Sequence, residues 1–370
     1  MSRISSSPLA SKTTTSTAMR IVPKALLCAA IGFALASCSN NTSNDKTLNL
    51  YNWDEYMPQE VLDDFERETG ITVNYVTFDS NEEMYDTLKA SDDANQYDLA
   101  IPSSYYVDKM SKEGLLQELD QSKISNFKNL DISFTDTTVD PGNKYSIPYV
   151  WSSTGLVIDG AFIDYSAANS WNDLWNPEYK GQIMLMDDMR DVFGMTLLSL
   201  GYSVNSRNPD EIEAAYNKLT TLMPNVKGVN SDDELVSYFE GDVNIGMAWN
   251  GEAVMANDEG MSTLIYKYPT EGAVLWMDNL VIPKNAKNVD AAHQFIDYLL
   301  LPENAKIISE EVGYAAPNTG ARALMSNEVK NHPTIYPSKE VIAQGEFLAD
   351  VGDEALKLYE QYWEKLTANF

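Results

Sequence analysis

At 370 residues, 44% hydrophobic and 22% charged, the chain has the length of two domains and enough apolar side chains to bury real cores, which excludes a disordered chain. Its 55 acids against 26 bases, a net charge of −29, exclude nucleic-acid phosphates as a partner, since these demand clustered Lys and Arg. The acidity is compatible with a cationic partner, although acidity alone mostly means a soluble surface.

In chain order, Arg20 and Lys24 precede the apolar run ALLCAAIGFALA and the small residues ending at Cys38. This is the pattern of a secretory signal over residues 1–37, with an apolar segment too short to span a membrane. Leu35-Ala36-Ser37-Cys38 matches the bacterial lipobox, which makes Cys38 the lipidated first residue of the mature chain; an ordinary signal with a chance cysteine is the alternative. Met19 is a second candidate start. Cleavage removes four bases and no acid, so the net charge falls to −33. It also removes Cys28, which leaves the exported protein without a disulfide. Residues 38–45 read as the lipidated cysteine and a polar tether.

From residue 46 strands and helices alternate. TLNLY is a strand, Pro58 opens a helix that Gly70 stops, and ITVNYVTF is a second strand. NEEMYDTLKA has helical spacing, YDLAIP is a short buried strand, and SSYYVDKMSKEGLL enters a helix. A second α/β region follows: a strand over 180–186, helices in RDVFGMTLLSLG and DEIEAAYNKLTTLM, and a strand over 243–249. Two long apolar runs, 145–158 and 273–282, each reach from one region to the other. The expected fold is therefore α/β and two-lobed, each lobe a mostly parallel sheet flanked by helices, with two crossing segments at the hinge. The lobes divide as 46–152 plus 275–322, and 153–274 plus 323–370.

Ligands of open parallel sheets sit beyond the carboxyl ends of the strands. Here those ends carry Trp53-Asp54-Glu55-Tyr56, Ser103-Ser104-Tyr105-Tyr106, Asp187-Asp188 with Asp191, and Trp249-Asn250, while the second crossing holds Trp276-Met277-Asp278. Each has a plain structural reading: a Trp at a strand end more often packs in a core, an Asp opening a helix more often caps it, and Arg190 could neutralise its own DDMRD run. Repetition across five places favours a common purpose. Aromatic faces beside carboxylates suit an organic cation, and a flexible di- or triamine fits best, its methylenes between rings and its ammoniums on separated acids. Catalytic signatures are missing: His293 reads as structural, and no phosphate-binding, nucleophile-elbow or calcium-loop motif occurs. No enzyme activity, cofactor or metal is expected.

YNWDEY, YDLAIPSSYYVDKM, KEGLLQELD, YSIPYVW, SWNDLWNPEYKGQ, DDMRDVFGM, GMAWNG, WMD and EVGYAAPN stand in an order and spacing that resembles the substrate-binding component of bacterial spermidine/putrescine ABC importers, over essentially all of 46–370. The resemblance implies a periplasmic-binding-protein fold of type II, a monomer that closes on a polyamine and delivers it to permease subunits, anchored to a membrane through lipid on Cys38. It implies an aromatic box of Trp53, Tyr105, Trp249, Trp276 and Tyr314, ammonium-receiving Glu55, Asp188, Asp191 and Asp278, and polar contacts from Ser103, Ser231 and Tyr56. Asp54, Asp191 and Leu348 depart from the family's spermidine binders, which carry a hydroxyl residue, a Glu and a Gln there. A polyamine sensor that presents its bound state to a signalling membrane protein is the alternative function.

Overall fold

The computed structural model describes residues 46–90, 97–231, 237, 238, 240–258 and 260–368. The signal, Cys38 and the tether lie outside them. Residues 45–370 form one compact unit. No helix among the described residues is long and apolar enough to cross a membrane.

The described strands are β1 (Thr47–Trp53), β2 (Thr72–Phe78), β3 (Leu99–Ala100), β4 (Ser146–Asp159), β5 (Ile183–Leu185), β6 (Val226–Val229), β7 (Ile245–Trp249), β8 (Leu264–Lys267), β9 (Val274–Val281) and β10 (Glu346–Phe347). They hydrogen-bond in the order β2-β1-β3-β9-β4-β7-β5-β6, with β10 beside β9 and β8 beside β4. The wings β2-β1-β3 and β7-β5-β6 are parallel. The centre is antiparallel, because the two crossing segments run in opposite directions. All fourteen residues of β4 are buried; its first part pairs with β9 and its last part with β7 and β8, so one strand serves both lobes.

Two principal cores result. One gathers Leu48, Leu50, Phe65, Leu99, Val107, Leu280 and Phe295. The other gathers Leu156, Trp171, Ile183, Phe193, Leu219 and Tyr359. Helix α1 (Gln59–Thr69) buries Val61, Leu62 and Phe65 against the first and ends at Gly70, whose φ of 67° lets its N–H donate to the Glu66 carbonyl. Helices α2 (Asn81–Ala90) and α3 (Ser104–Lys112) follow β2 and β3. Helices α4 (Met189–Ser199), α5 (Pro209–Leu222) and α6 (Asn250–Asp258) belong to the second region, and α7 (Val289–Leu299) returns to the first.

One expected element shrinks. The strand read over 180–186 is confined to Ile183–Leu185, because Gly181 turns the chain at a φ of 70° and the Gln182 N–H donates back to the Tyr179 carbonyl. His293 lies in α7, where Nε2 accepts the Asp120 N–H at 2.9 Å and Nδ1 sits 2.8 Å from the Val289 carbonyl. Both ring nitrogens are spent on backbone, as a structural histidine requires.

Candidate functional site

A cavity of about 480 Å³ opens where β1, β3, β5 and β7 end and where the middle of β9 passes. Trp53, Asp54, Glu55, Tyr56, Ser103, Tyr105, Asp188, Asp191, Ser231, Trp249, Trp276, Asp278 and Tyr314 all line it. So does Leu348. The thirteen residues, drawn from seven separate stretches of chain, thus line one space.

Asp278 is one of its two nearly fully buried acids, 3% exposed in β9. Tyr56 Oη donates to Oδ2 at 2.6 Å and Ser103 Oγ donates to Oδ1 at 2.7 Å. Ser103 is the N-cap of α3, yet its side chain makes no capping bond, since the hydroxyl is committed to Asp278. Burial, with Asp188 adding to it, still pushes the Asp278 carboxyl up to about 6 against the pull of both donors.

Asp188 and Asp191 open α4. Asp188 Oδ1 accepts the Asp191 N–H at 2.8 Å, so the capping reading holds, and the same residue also faces the cavity. Asp191, 2% exposed, takes the Trp249 Nε1–H on Oδ2 at 3.0 Å, and the Thr154 side chain also lowers its carboxyl. Burial and Asp188 hold its carboxyl well above the usual range, and burial raises Asp188 too. The Arg190 charge lowers both in part, without a side-chain hydrogen bond to either. Its guanidinium turns away to the Ala349 carbonyl and Asn205 Oδ1 and lies over the Tyr105 and Tyr359 rings. Glu82 of α2, half-buried overall, is pushed up to about 7 by the burial of its carboxyl and the charge of Asp188.

Four rings of the aromatic wall touch in sequence. Trp276 meets Trp249 edge to face at 6.3 Å and Tyr314 at 5.1 Å, and Tyr314 meets Tyr56 at 5.6 Å. Trp53 leans on Phe78 and anchors its Nε1–H on the Ile101 carbonyl at 2.9 Å. Glu55, with a φ of 48°, sits in the left-handed region that swings the exposed Asp54-Glu55 turn to the cavity mouth. Ser231 accepts the Asp187 N–H at 2.8 Å, which ties the end of β5 to the segment after β6.

The Tyr314 ring is seated on Gly251 at the start of α6. A Cβ there would lie 2.4 Å from the ring edge, and Trp276 and Tyr56 block the ring's retreat. Gly251→Ala is expected to cost about 1–3 kcal/mol, read as a lower melting temperature together with altered tryptophan fluorescence. An unchanged fluorescence spectrum would show that the ring gives way freely.

Sequence reasoning missed six lining residues: Phe78, Asp79, Asn81, Glu252, Met255 and Val312. Phe78 and Asp79 end β2, so the strand-end rule applied to one more strand finds them. Glu252 follows Trp249 by three residues, near enough for Tyr314 Oη to donate to it at 3.5 Å. Met255 and Val312 carry no comparable signal. Seven carboxylates therefore face this space, and no Lys, Arg or His is among its described lining residues.

Known proteins give this geometry its context. Residues 60–337 match the model of a family described as bacterial extracellular solute-binding proteins. A spermidine/putrescine-binding periplasmic protein of Escherichia coli is 49% identical over 92% of this chain and 97% of its own. A solved putative spermidine/putrescine ABC transporter protein of Listeria monocytogenes is 40% identical and superposes with a TM-score of 0.82 over 87% of this chain and 98% of its own. The TpPotD lipoprotein of Treponema pallidum, at 29% identity, covers 87% of this chain and all of its own with a TM-score of 0.79. A match across most of the chain, a relative of this identity and neighbours with the same two-lobed architecture place the protein in one group: it belongs to the bacterial extracellular solute-binding proteins.

Proposed function

We propose that the protein captures spermidine or putrescine outside the cytoplasm and hands it to the permease of an ABC importer. The carrying observation is the cavity itself, in which seven carboxylates and a wall of aromatic rings face one space whose described lining holds no basic side chain. Three of those acids, Asp278, Asp191 and Asp188, have pKa values raised by burial; none has an ion pair among the described residues, and the Arg190 charge offsets the rise at Asp188 and Asp191 only in part, so a ligand ammonium is the missing counter-charge. Trp53, Tyr105, Trp249, Trp276 and Tyr314 would flank the methylenes, and Glu55, Asp188, Asp191 and Asp278 would take the ammoniums. Asp54 would stand at the mouth, with Ser231 adding a polar contact. Tyr56 and Ser103 would act largely by holding Asp278. Binding without chemistry is the reading that fits a site whose polar groups are acids held by hydrogen bonds, and the named relatives favour import over sensing.

The lobes would be 46–152 with 275–322 and 153–274 with 323–370, a division supported by the two principal cores. Cys38 would carry the lipid that keeps this monomeric receptor at the membrane, in keeping with the lipoprotein relative. Calorimetry on the chain from Ser39 onward decides the ligand: micromolar or tighter binding of a polyamine is expected, and none at millimolar ligand would end the proposal.

The raised carboxyls also set a pH dependence. Aliphatic ammoniums keep their protons far above neutrality, so the protein alone titrates. Ligand binding favours ionised Asp278, and affinity should fall as pH drops through about 6. Between pH 7 and pH 5 Asp278 alone gives about a tenfold loss, and Asp191 and Asp188 steepen it. A dissociation constant flat over that range would contradict this assignment.

A further inference from the structure

We propose that Asn81, buried at the start of α2, is a positioning residue that sets the direction of the hydroxyl protons of Ser103 and Tyr105 and thereby keeps Asp278 supplied with a donor. The inference rests on the polyamine reading only for its effect on affinity.

The Asn81 side chain, 3% exposed, is satisfied on both of its polar atoms by two residues of the cavity wall. Oδ1 accepts the backbone N–H of Ser103 at 3.0 Å. A backbone N–H can only donate, so the amide orientation is settled and Nδ2 must face the other way. Nδ2 then donates to Ser103 Oγ at 3.1 Å and to Tyr105 Oη at 3.0 Å. An amide nitrogen cannot accept, so neither hydroxyl can return its proton to Asn81. The Ser103 proton has one good acceptor, Asp278 Oδ1 at 2.7 Å, and it goes there at the expense of capping α3. The Tyr105 proton is likewise directed away from Asn81, and the charges of Glu82 and Asp188 act on this hydroxyl.

Remove the amide and Ser103 Oγ becomes free to rotate back to its capping role, since the N-terminal N–H groups of α3 offer it the alternative. Asp278 would then keep only the Tyr56 hydroxyl. The other groups that bear on Asp278 are Asp188 from the start of α4 and the Tyr149 hydroxyl of β4, which donates to the Tyr56 carbonyl. Neither replaces the lost donor. Loss of a hydrogen bond to a buried carboxylate disfavours its charged form, so the Asp278 titration should move up.

The test compares the wild-type chain with Asn81→Ala, Ser103→Ala and the double variant. In the ligand-free proteins, the Asp278 carboxyl is followed by carbon NMR across pH 4–8. Asn81→Ala is expected to raise its midpoint by about one pH unit, and the double variant should titrate like Ser103→Ala alone. Spermidine affinity at neutral pH should fall about tenfold in Asn81→Ala, again with no further loss in the double variant. If Asn81→Ala lowers stability while leaving the Asp278 midpoint where it was, the residue is merely structural and the proposal fails. Additive losses in the double variant overturn it as well. Should Asn81→Ala not fold, Asn81→Asp keeps the size and reverses the hydrogen-bond polarity, drawing the Ser103 proton to residue 81; an unmoved Asp278 midpoint there is equally fatal. The NMR arm needs no ligand, so it stands apart from any failure of the wild type to bind a polyamine.

Discussion

Asp278→Asn should weaken spermidine binding by about a hundredfold or more while leaving the ligand-free protein at least as heat-stable as the wild type. Truncating the charge of a buried, hydrogen-bonded ion pair typically costs about 2–5 kcal/mol of binding, and Asp278 is a nearly fully buried acid with no protein cation acting on it. The stability half follows from linkage. The carboxyl is raised from its ordinary 3.8 to about 6 in the folded chain. An acid whose folded pKa lies above its unfolded one penalises folding as pH rises through that interval, and at pH 7 the penalty is fully present. A neutral amide of the same shape escapes it, and its single acceptor, which can take only one of the Tyr56 and Ser103 hydroxyl protons, offsets part of that gain. Asp54→Asn is the contrast: Asp54 is exposed at the mouth, where an ion pair is worth about 1 kcal/mol or less, so its loss should stay below about fivefold. Calorimetry and thermal unfolding at pH 7 read both quantities. Equal affinity losses in the two variants, or a clearly lower melting temperature for Asp278→Asn, would mean that Asp278 serves the fold and not the ligand.

That contrast between a buried and an exposed acid separates what could be read from residues and what could not. Alternation and helical spacing located β1, α1, β4 and β9, and the strand-end rule picked Trp53, Glu55, Ser103, Asp188, Trp249 and Asp278 from stretches far apart in the chain. Local spacing says which way a side chain points relative to its own strand. It does not say which lobe faces it across a cleft. Hence Met255 and Val312 were invisible, and Tyr314 and Ser231 entered only through resemblance to a family. The competing readings of single residues were also settled by position. Asp188 caps α4 and faces the cavity, Trp276 packs in a core and lines the site, and Arg190 turns from its neighbouring acids to a carbonyl of the C-terminal segment. Asn81 shows the sharpest limit: an amide at a helix start looks like an ordinary cap in sequence, and its grip on Ser103 and Tyr105 exists only once β3 has brought them beside it.

Trp276→Ala is the second large loss expected, about fifty- to a hundredfold in polyamine affinity, because this ring supports both neighbours in the wall. It stands edge to face with Trp249 and with Tyr314, so its removal unseats rings contributed by the end of β7 and by the segment after Val312 as well as its own face. Each cation–π contact is worth about 0.5–2 kcal/mol as the cation is desolvated, and buried aromatic anchors of this kind reach 2 kcal/mol or more on truncation. The Trp249 indole also donates to Asp191 Oδ2, so a shifted Trp249 leaves that raised carboxyl with less support. Trp276 Nε1 has no hydrogen-bond partner, which places the residue's value in its ring and not in its N–H. Trp276→Phe should therefore keep most of the affinity, losing less than about tenfold. Since removing a buried Trp can cost about 3–5 kcal/mol of stability, binding is compared at a temperature where circular dichroism shows both variants folded. Affinity within threefold of wild type for the alanine variant, or equal losses for alanine and phenylalanine, would remove the ring of Trp276 from the recognition of the cation.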